Sequence, residues 1–99
     1  MDRKLLKKIK RLAIDEDWRV RESAASEIKK INDEHFDEYL PDKALNILKI
    51  LACDERRYVW RAAASSVIKI LRKYPKKQRE IQVWDCNSKV IETIQKYAN

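Results

Sequence analysis

The sequence predicts an all-α protein, folded as a right-handed α-solenoid of about three antiparallel helical hairpins. Gly is absent and Pro occurs twice among 99 residues, which argues against the tight turns that β-sandwiches and β-barrels need. Apolar residues make up 44% of the chain and recur at helical spacing. A segment that starts at Leu12 recurs from Leu51, 39 residues later, and self-similarity at this period is typical of helical-hairpin solenoids.

The first hairpin is predicted over residues 3–31. Residues 3–14 form its first helix and residues 18–31 its second, because each segment carries an apolar stripe at helical spacing. Between them, Asp15 or Asp17 is predicted to cap the second helix by accepting hydrogen bonds from its free N–H groups. The two stripes consist of Leu5, Leu6, Ile9, Leu12 and Ala13, and of Val20, Ala24, Ile28 and Ile31.

The second hairpin is predicted over residues 42–73. Pro41 starts or precedes its first helix, because a proline ring fits the first turn of a helix and not its interior. The chain turns at Asp54, and the second helix covers residues 57–73. The stripes of these two helices are Ala44, Leu45, Ile47, Leu48 and Leu51, and Val59, Ala63, Val67, Ile70 and Leu71.

The third hairpin is predicted over residues 76–98, with its turn at Asp85. The repeat is shorter here, because Asp85 follows Asp54 by 31 residues. Trp84 has apolar neighbours and is predicted to lie in the core. No linker separates the three hairpins, so residues 1–99 are predicted to form a single domain.

The charges are unevenly distributed along the chain. It has 23 Lys and Arg against 16 Asp and Glu, a net charge of +7. Residues 1–11 carry a net charge of +5, residues 12–50 of −4 and residues 51–99 of +6. A basic chain favours polyanionic partners such as nucleic acid, although solubility alone also accounts for such a charge.

Few enzyme classes fit the sequence. It contains no Ser-His-Asp set, P-loop or dinucleotide fingerprint, and His35 is the only histidine, so we predict no catalytic residue. Cys53 and Cys86 do not form a Cys-x-x-Cys pair, so we predict neither a metal site nor a disulfide framework. No apolar run reaches the length of about 20 residues that a membrane span needs. We expect a cytoplasmic protein with two ordinary thiols, no cofactor and no membrane partner.

The first repeat resembles a known family. The pattern Asp-x-x-x-x-Val-Arg-x-x-Ala-Ala-x-x-Ile, from Asp15 to Ile28, resembles the HEAT repeat. Over residues 12–41, the segments Asp15–Glu22 and His35–Pro41 resemble the HEAT-type DNA alkylation repair proteins. This resemblance implies a curved solenoid whose second helices line a concave, basic face that holds a duplex. In the DNA glycosylases of that family, Trp, Arg and one Asp lie near an alkylated base.

The resemblance also bears on individual residues. Trp18 and Arg21 match the Trp-x-Val-Arg pattern of the family, whereas Trp60 stands in the second repeat where the first repeat has Arg21. Neither predicted helix 18–31 nor predicted helix 57–73 contains an Asp, so the catalytic carboxylate of the family has no counterpart there. The resemblance therefore implies a shortened or non-catalytic relative.

Basic residues on the second helices are the candidates for phosphate contact, because an arginine fork makes charge-assisted bonds to phosphate oxygens. Arg21 has an alternative role, since Asp54 lies one repeat away and this pair would tie two repeats together. Trp18 and Trp60 either stack on a base or pack against the adjoining helix. Trp60 follows Val59, about 100° around the helix, so we expect it to be partly exposed. The predicted nucleic-acid-binding residues are Trp18, Arg21, Arg57, Trp60, Arg61, Lys69 and Lys73.

These features predict a small DNA-binding module that holds the phosphate backbone of double-stranded DNA on a basic concave face, without catalysis of its own. An alternative is a scaffold that binds another protein or a second copy of itself, through exposed Val90, Ile91, Ile94 and Tyr97 on the last helix. A third interpretation is a DNA glycosylase acting on alkylated bases. The sequence leaves the choice between DNA and RNA open.

Overall fold

Every regular element that the structure describes is helical. The computed structural model describes residues 2–31, 40–82, 84 and 88–98, and for this part of the chain the all-α prediction is confirmed. The two long second helices begin and end within one residue of their predicted bounds. The elements are α1 (Asp2–Ala13), α2 (Trp18–Lys30), α3 (Leu40–Ala52), α4 (Arg57–Lys73), a 3₁₀ turn (Pro75–Lys77), α5 (Gln78–Gln82) and α6 (Ser88–Ala98).

The helices lie in two layers. α2 packs most extensively against α4, and α4 packs in turn against α6, so these three form one layer with α4 in the middle. In the other layer α1 packs against α3, and each of the two also contacts the helix that follows it. The extents of 32 × 31 × 18 Å match a slab two helices thick, since a helix with its side chains is about 10 Å across.

The hairpin bounds of 3–31, 42–73 and 76–98 stay predictions, as does the single domain. Asp85, at the predicted third turn, and His35, in the segment that carries the family resemblance, lie outside the described residues.

One apolar cluster runs through both layers. Most side chains of the predicted stripes belong to it, and Ile9, Ile28 and Leu48 are at most 1% exposed. Leu5 is an exception and is exposed. Trp84 joins the cluster, as predicted. The transfer of these side chains out of water is the main favourable contribution to folding.

The last helix corrects one prediction. Val90 and Ile94 are buried in the apolar cluster and not exposed, because α6 packs against α4. Ile91 is half-buried, and of the four predicted side chains only Tyr97 is exposed. The apolar side of α6 that was expected to drive self-association is therefore largely covered by the fold itself.

α2 and α4 approach each other closely at small residues. Ala24 and Ala25 on α2, and Ala63 and Ala64 on α4, are at most 1% exposed. The hydroxyl of Ser66 on α4 donates a hydrogen bond of 2.6 Å to the carbonyl oxygen of Ala25. The short serine side chain therefore bridges the two backbones at this point. Because interiors are packed to crystal density, this interface has little space for larger side chains.

The turns before α2 and α4 have the same local structure. Asp15 Oδ1 accepts a hydrogen bond of 2.8 Å from the backbone N–H of Asp17, and Asp54 Oδ1 accepts one of 2.8 Å from that of Arg56. Asp17 is the N-cap of α2, since its Oδ1 accepts a hydrogen bond of 2.9 Å from the N–H of Arg19. The corresponding side chain at α4, Arg56, makes no capping hydrogen bond.

An ion pair fastens the 3₁₀ turn to α3. Lys77 Nζ lies 2.5 Å from Asp42 Oδ1 and 3.6 Å from Glu80 Oε1. The close contact with Asp42, supported by the charges of both carboxylates, raises the pKa of Lys77. Asp42 stands in the first turn of α3, where a negative charge is also favoured by the helix dipole.

Cys53 corrects a second prediction, because it is disulfide-bonded and not a free thiol. Cys86 lies outside the described residues. Disulfides persist mainly in oxidising compartments, so this bond does not support the cytoplasmic location, which stays a prediction. None of the helices in the described ranges combines the length and the apolar character that crossing a bilayer requires.

Enlarging Ala63 tests the close packing of α2 on α4. We expect Ala63→Leu to lower the free energy of unfolding by about 1–3 kcal/mol, because the added carbon atoms have no free volume at this interface. Chemical denaturation followed by circular dichroism measures the change. Ala62→Leu, at a half-buried position of the same helix, is the matched control and should lower the free energy of unfolding by clearly less. Equal losses at the two positions would contradict the close approach of the helices.

Candidate nucleic-acid interface

The solvent sides of α2, α4 and α6 form one strongly basic surface, which we term the α2–α4–α6 surface. The three helices contain eleven basic and three acidic residues, and α4 contains five basic residues and no acidic one. The apolar side of each helix is turned to the core, so the charges remain on the solvent side. The exposed basic side chains are Arg19, Lys29, Lys30, Arg57, Arg61, Lys69, Arg72, Lys73, Lys89 and Lys96.

Arg57 and Arg61 lie one turn apart on α4 and are both exposed. Within the described part of the chain, neither has a hydrogen-bond or ion-pair partner. A guanidinium group presents five N–H donors, so both side chains are available to an anion. They lie in a shallow depression, the α4–α6 groove, whose lining residues are Arg57, Trp60 and Arg61 of α4 and Lys89, Glu92 and Thr93 of α6.

Trp60 brings an aromatic ring into this groove. It is half-buried and packs against the apolar cluster, which confirms the partial exposure expected from its place beside Val59. It stands at the position that Arg21 occupies in the first repeat. Glu92 is the one carboxylate among the described lining residues of the groove, and it lies on α6, outside the helices that carry the family resemblance.

A second depression, the lysine groove, extends from α2 across α4 to α6. Lys29 Nζ donates a hydrogen bond of 2.6 Å to Ser65 Oγ. Lys69 Nζ donates to the carbonyl oxygen of Lys29, in the last turn of α2, where carbonyl groups lack helical partners. Arg72 Nη2 donates a hydrogen bond of 3.1 Å to the carbonyl oxygen of Tyr97. The described lining residues are Lys29, Ser65, Ile68, Lys69, Arg72, Lys73 and Tyr97, of which four are basic and none is acidic.

Trp18 lies away from both grooves, at the start of α2. Its ring stacks on that of Tyr58 of α4, with the ring centroids 5.5 Å apart and the planes at 21°. The guanidinium carbons of Arg19 and Arg56 lie 5.7 Å and 5.4 Å from the Trp18 centroid, within the range of cation–π attraction. Trp18 therefore packs against the adjoining helix, one of its two predicted roles, and Tyr58 is the exposed ring of this cluster.

Arg21 joins the two interhelix turns. Its Nε and Nη2 atoms donate to the two carboxylate oxygens of Asp54, at 2.6 Å and 3.4 Å. Its Nη1 atom donates to the carbonyl oxygens of Asp15 and Glu16, at 2.7 Å and 2.9 Å. The hydrogen bond to Asp54 is the main cause that raises the pKa of Arg21. The predicted pairing with Asp54 is confirmed, while a contact of Arg21 with nucleic acid stays a prediction.

The seven predicted residues fall at three places. Arg57, Trp60 and Arg61 share the α4–α6 groove. Lys69 and Lys73 line the lysine groove, and Trp18 and Arg21 lie in the first turn of α2.

Sequence reasoning misses three neighbours of these residues: Lys29, Tyr58 and Lys89. Helical periodicity could have identified the two lysines. Each lies on the side of its helix opposite to the apolar stripe, and this side is exposed to solvent together with the basic side of α4. Tyr58 has no such signal, since its stacking depends on where α2 begins relative to α4.

Comparison with known proteins does not indicate what this site binds. The chain matches no protein-family model, no curated protein and no solved structure. Among the residues that the structure describes, no three His, Cys, Asp or Glu side chains are placed together so as to hold a metal ion.

Neutralising Asp54 tests the link between the two turns. The side chains of Arg21 and Asp54 are only 20% and 10% exposed, so water screens the pair incompletely. We expect Asp54→Asn to lower the free energy of unfolding by about 1–3 kcal/mol, measured by chemical denaturation. The pKa of Arg21 is raised, so this contribution is complete at lower pH and is lost only as the pH rises through that pKa. The loss should therefore be equal at mildly acidic and mildly alkaline pH.

Glu55→Gln is the matched control for Asp54→Asn, because it removes the same charge at a neighbouring exposed position. It should change the stability by less than about 0.5 kcal/mol. In an Arg21→Ala background, the effect of Asp54→Asn should largely disappear. An undiminished effect in that background would show that the pair is not the cause.

Proposed function

We propose that the chain is a short right-handed solenoid of three HEAT-like hairpins that binds the phosphate backbone of double-stranded DNA on its α2–α4–α6 surface. The observation that carries this proposal is the pair Arg57 and Arg61, which are exposed and have no partner among the described residues. They lie on a helix with five basic residues and no acidic one. Such a concentration of one charge attracts polyanions and raises their rate of association.

In the proposed complex, Arg57 and Arg61 donate forked, charge-assisted hydrogen bonds to phosphate oxygens. From Arg57 to Lys73, α4 rises about 24 Å, which equals about seven base steps of B-DNA at about 3.4 Å per step. Lys69 and Lys73 therefore reach different phosphates from the two arginines. Contacts of this kind fix the position of the protein and carry no base information, so the proposed binding has little sequence preference.

Trp60 is the proposed aromatic contact. It lines the α4–α6 groove together with the two arginines, where its ring has a base or a sugar within reach once the backbone is held. Trp18 is the weaker candidate of the two, because Tyr58 and two guanidinium groups already lie against its ring.

Two observations support the repeat arrangement in this proposal. The turns at Asp15 and Asp54 are built alike, and α2, α4 and α6 lie side by side, as second helices of successive hairpins do in a solenoid. The proposal includes no catalytic step, because neither α2 nor α4 contains an Asp where the family resemblance implies the catalytic carboxylate.

Charge reversal at the two arginines tests the proposal. We expect Arg57→Glu with Arg61→Glu to weaken binding to a short duplex at least tenfold at low salt. The slope of log affinity against log salt should also fall by about two, because two phosphate contacts are lost. Fluorescence anisotropy across a salt series measures both quantities.

The matched control reverses two exposed lysines in the other layer. Lys4→Glu with Lys8→Glu, on α1, changes the net charge by the same amount and should weaken binding far less, with an unchanged salt slope. Equal losses in the two double variants would mean that only the total charge matters, and an unchanged affinity after reversal of the arginines would contradict the proposal.

A duplex with an abasic-site analogue tests the resemblance to repair proteins separately. Tighter binding to this duplex than to the undamaged one would support recognition of a lesion. Equal binding to both would limit the proposed function to contact with the backbone.

A further inference from the structure

The layer opposite to the α2–α4–α6 surface carries a groove of a different kind, between α1 and α3. This α1–α3 groove has a volume of about 530 Å³. Its floor is apolar and is formed by Leu6, Ile47 and Ile50. Leu6 and Ile47 are almost fully buried below the rim, whereas Ile50 is 45% exposed. When a partner covers an exposed aliphatic side chain on such a floor, the removal of its apolar surface from water stabilises the complex.

The rim of the α1–α3 groove is basic. Lys7 and Lys10 of α1 lie one turn apart, and Lys43 stands on α3. All three are exposed, and none has a hydrogen-bond or ion-pair partner within the described ranges. None of the described lining residues is acidic, and Asn46 adds an amide that donates and accepts hydrogen bonds. The groove therefore combines an apolar strip with unpaired positive charge on both sides.

We infer that the α1–α3 groove is a docking site for an acidic amphipathic helix of a partner protein. Apolar side chains at helical spacing would cover Ile47 and Ile50, while carboxylates beside them would reach the lysines of the rim. From Lys43 to Ile50, α3 rises about 10 Å, the length of about two turns of such a helix. Charge complementarity selects an acidic partner, because a basic helix would be repelled by three lysines.

The shape of the site favours a helix over a lipid surface. A segment that binds a bilayer presents its apolar side chains outward so that they enter the acyl region. Here Leu6 and Ile47 lie at the bottom of a depression and are only 4% and 5% exposed, so they meet only a partner that enters the groove. The contact area is small, which corresponds to a weak and transient complex.

The inference is tested with a synthetic four-turn peptide that carries Leu at every third or fourth position and Glu on both flanks. We expect its addition to isotope-labelled protein to shift the NMR amide signals of α1 and α3, and a titration to give a dissociation constant. Lys7→Glu with Lys10→Glu should weaken this binding at least tenfold. Lys4→Glu with Lys8→Glu, on the same helix, should weaken it clearly less, because these two exposed lysines are not among the lining residues of the groove.

Shifts confined to the α2–α4–α6 surface, no shifts at all, or equal losses in the two double variants would each overturn the inference. A peptide with Lys in place of Glu should not bind, and binding of both peptides alike would also count against it. Phosphatidylserine vesicles test the membrane alternative. If the protein binds the vesicles, if Lys7→Glu with Lys10→Glu reduces that binding, and if the acidic peptide does not bind, the groove is a membrane-binding site instead. Arg57→Glu with Arg61→Glu should leave peptide binding intact, so this test stands apart from that of DNA binding.

Discussion

The ion pair between Arg21 and Asp54 is the contact on which the relative placement of the helices depends. Arg21 holds the turn before α2 through two carbonyl groups and the turn before α4 through a carboxylate. With both turns fixed, α2 and α4 begin side by side, and their buried alanines and Ser66 continue the contact along the helices. The polar contact sets the register of the two helices, while burial of the apolar cluster supplies most of the free energy.

The separation of the two surfaces follows from this packing. Each helix turns its apolar stripe to the shared core, so whatever charge it carries is left on the outside. For α2, α4 and α6 this outside carries ten exposed basic side chains, which suits it to a polyanion. For α1 and α3 it is a groove in which lysines surround partly exposed isoleucine. The first surface offers many charges over a long distance, and the second offers apolar contact at one place, so the two fit different partners.

Much of this architecture could be predicted because its signals are local in the sequence. Helical periodicity locates α2 and α4, and the repeat places Asp54 where Arg21 reaches it. The burial of Val90 and Ile94 could not be predicted, because an apolar stripe on one helix does not indicate which distant helix packs against it. For the same reason the sequence predicts which residues on α4 are basic, while the grooves that group them with residues of α2 and α6 depend on the packing of helices far apart in the chain.

The most direct test of this account is a map of the DNA-binding surface of the unmodified protein. NMR amide signals of the labelled chain are followed while a short undamaged duplex is added, first at low salt and then at physiological salt. The account predicts the largest shifts along α4, smaller shifts on α2 and α6, and a steep reduction of all of them as salt is added. Shifts centred on α1 and α3, or no shifts even at low salt, would contradict it.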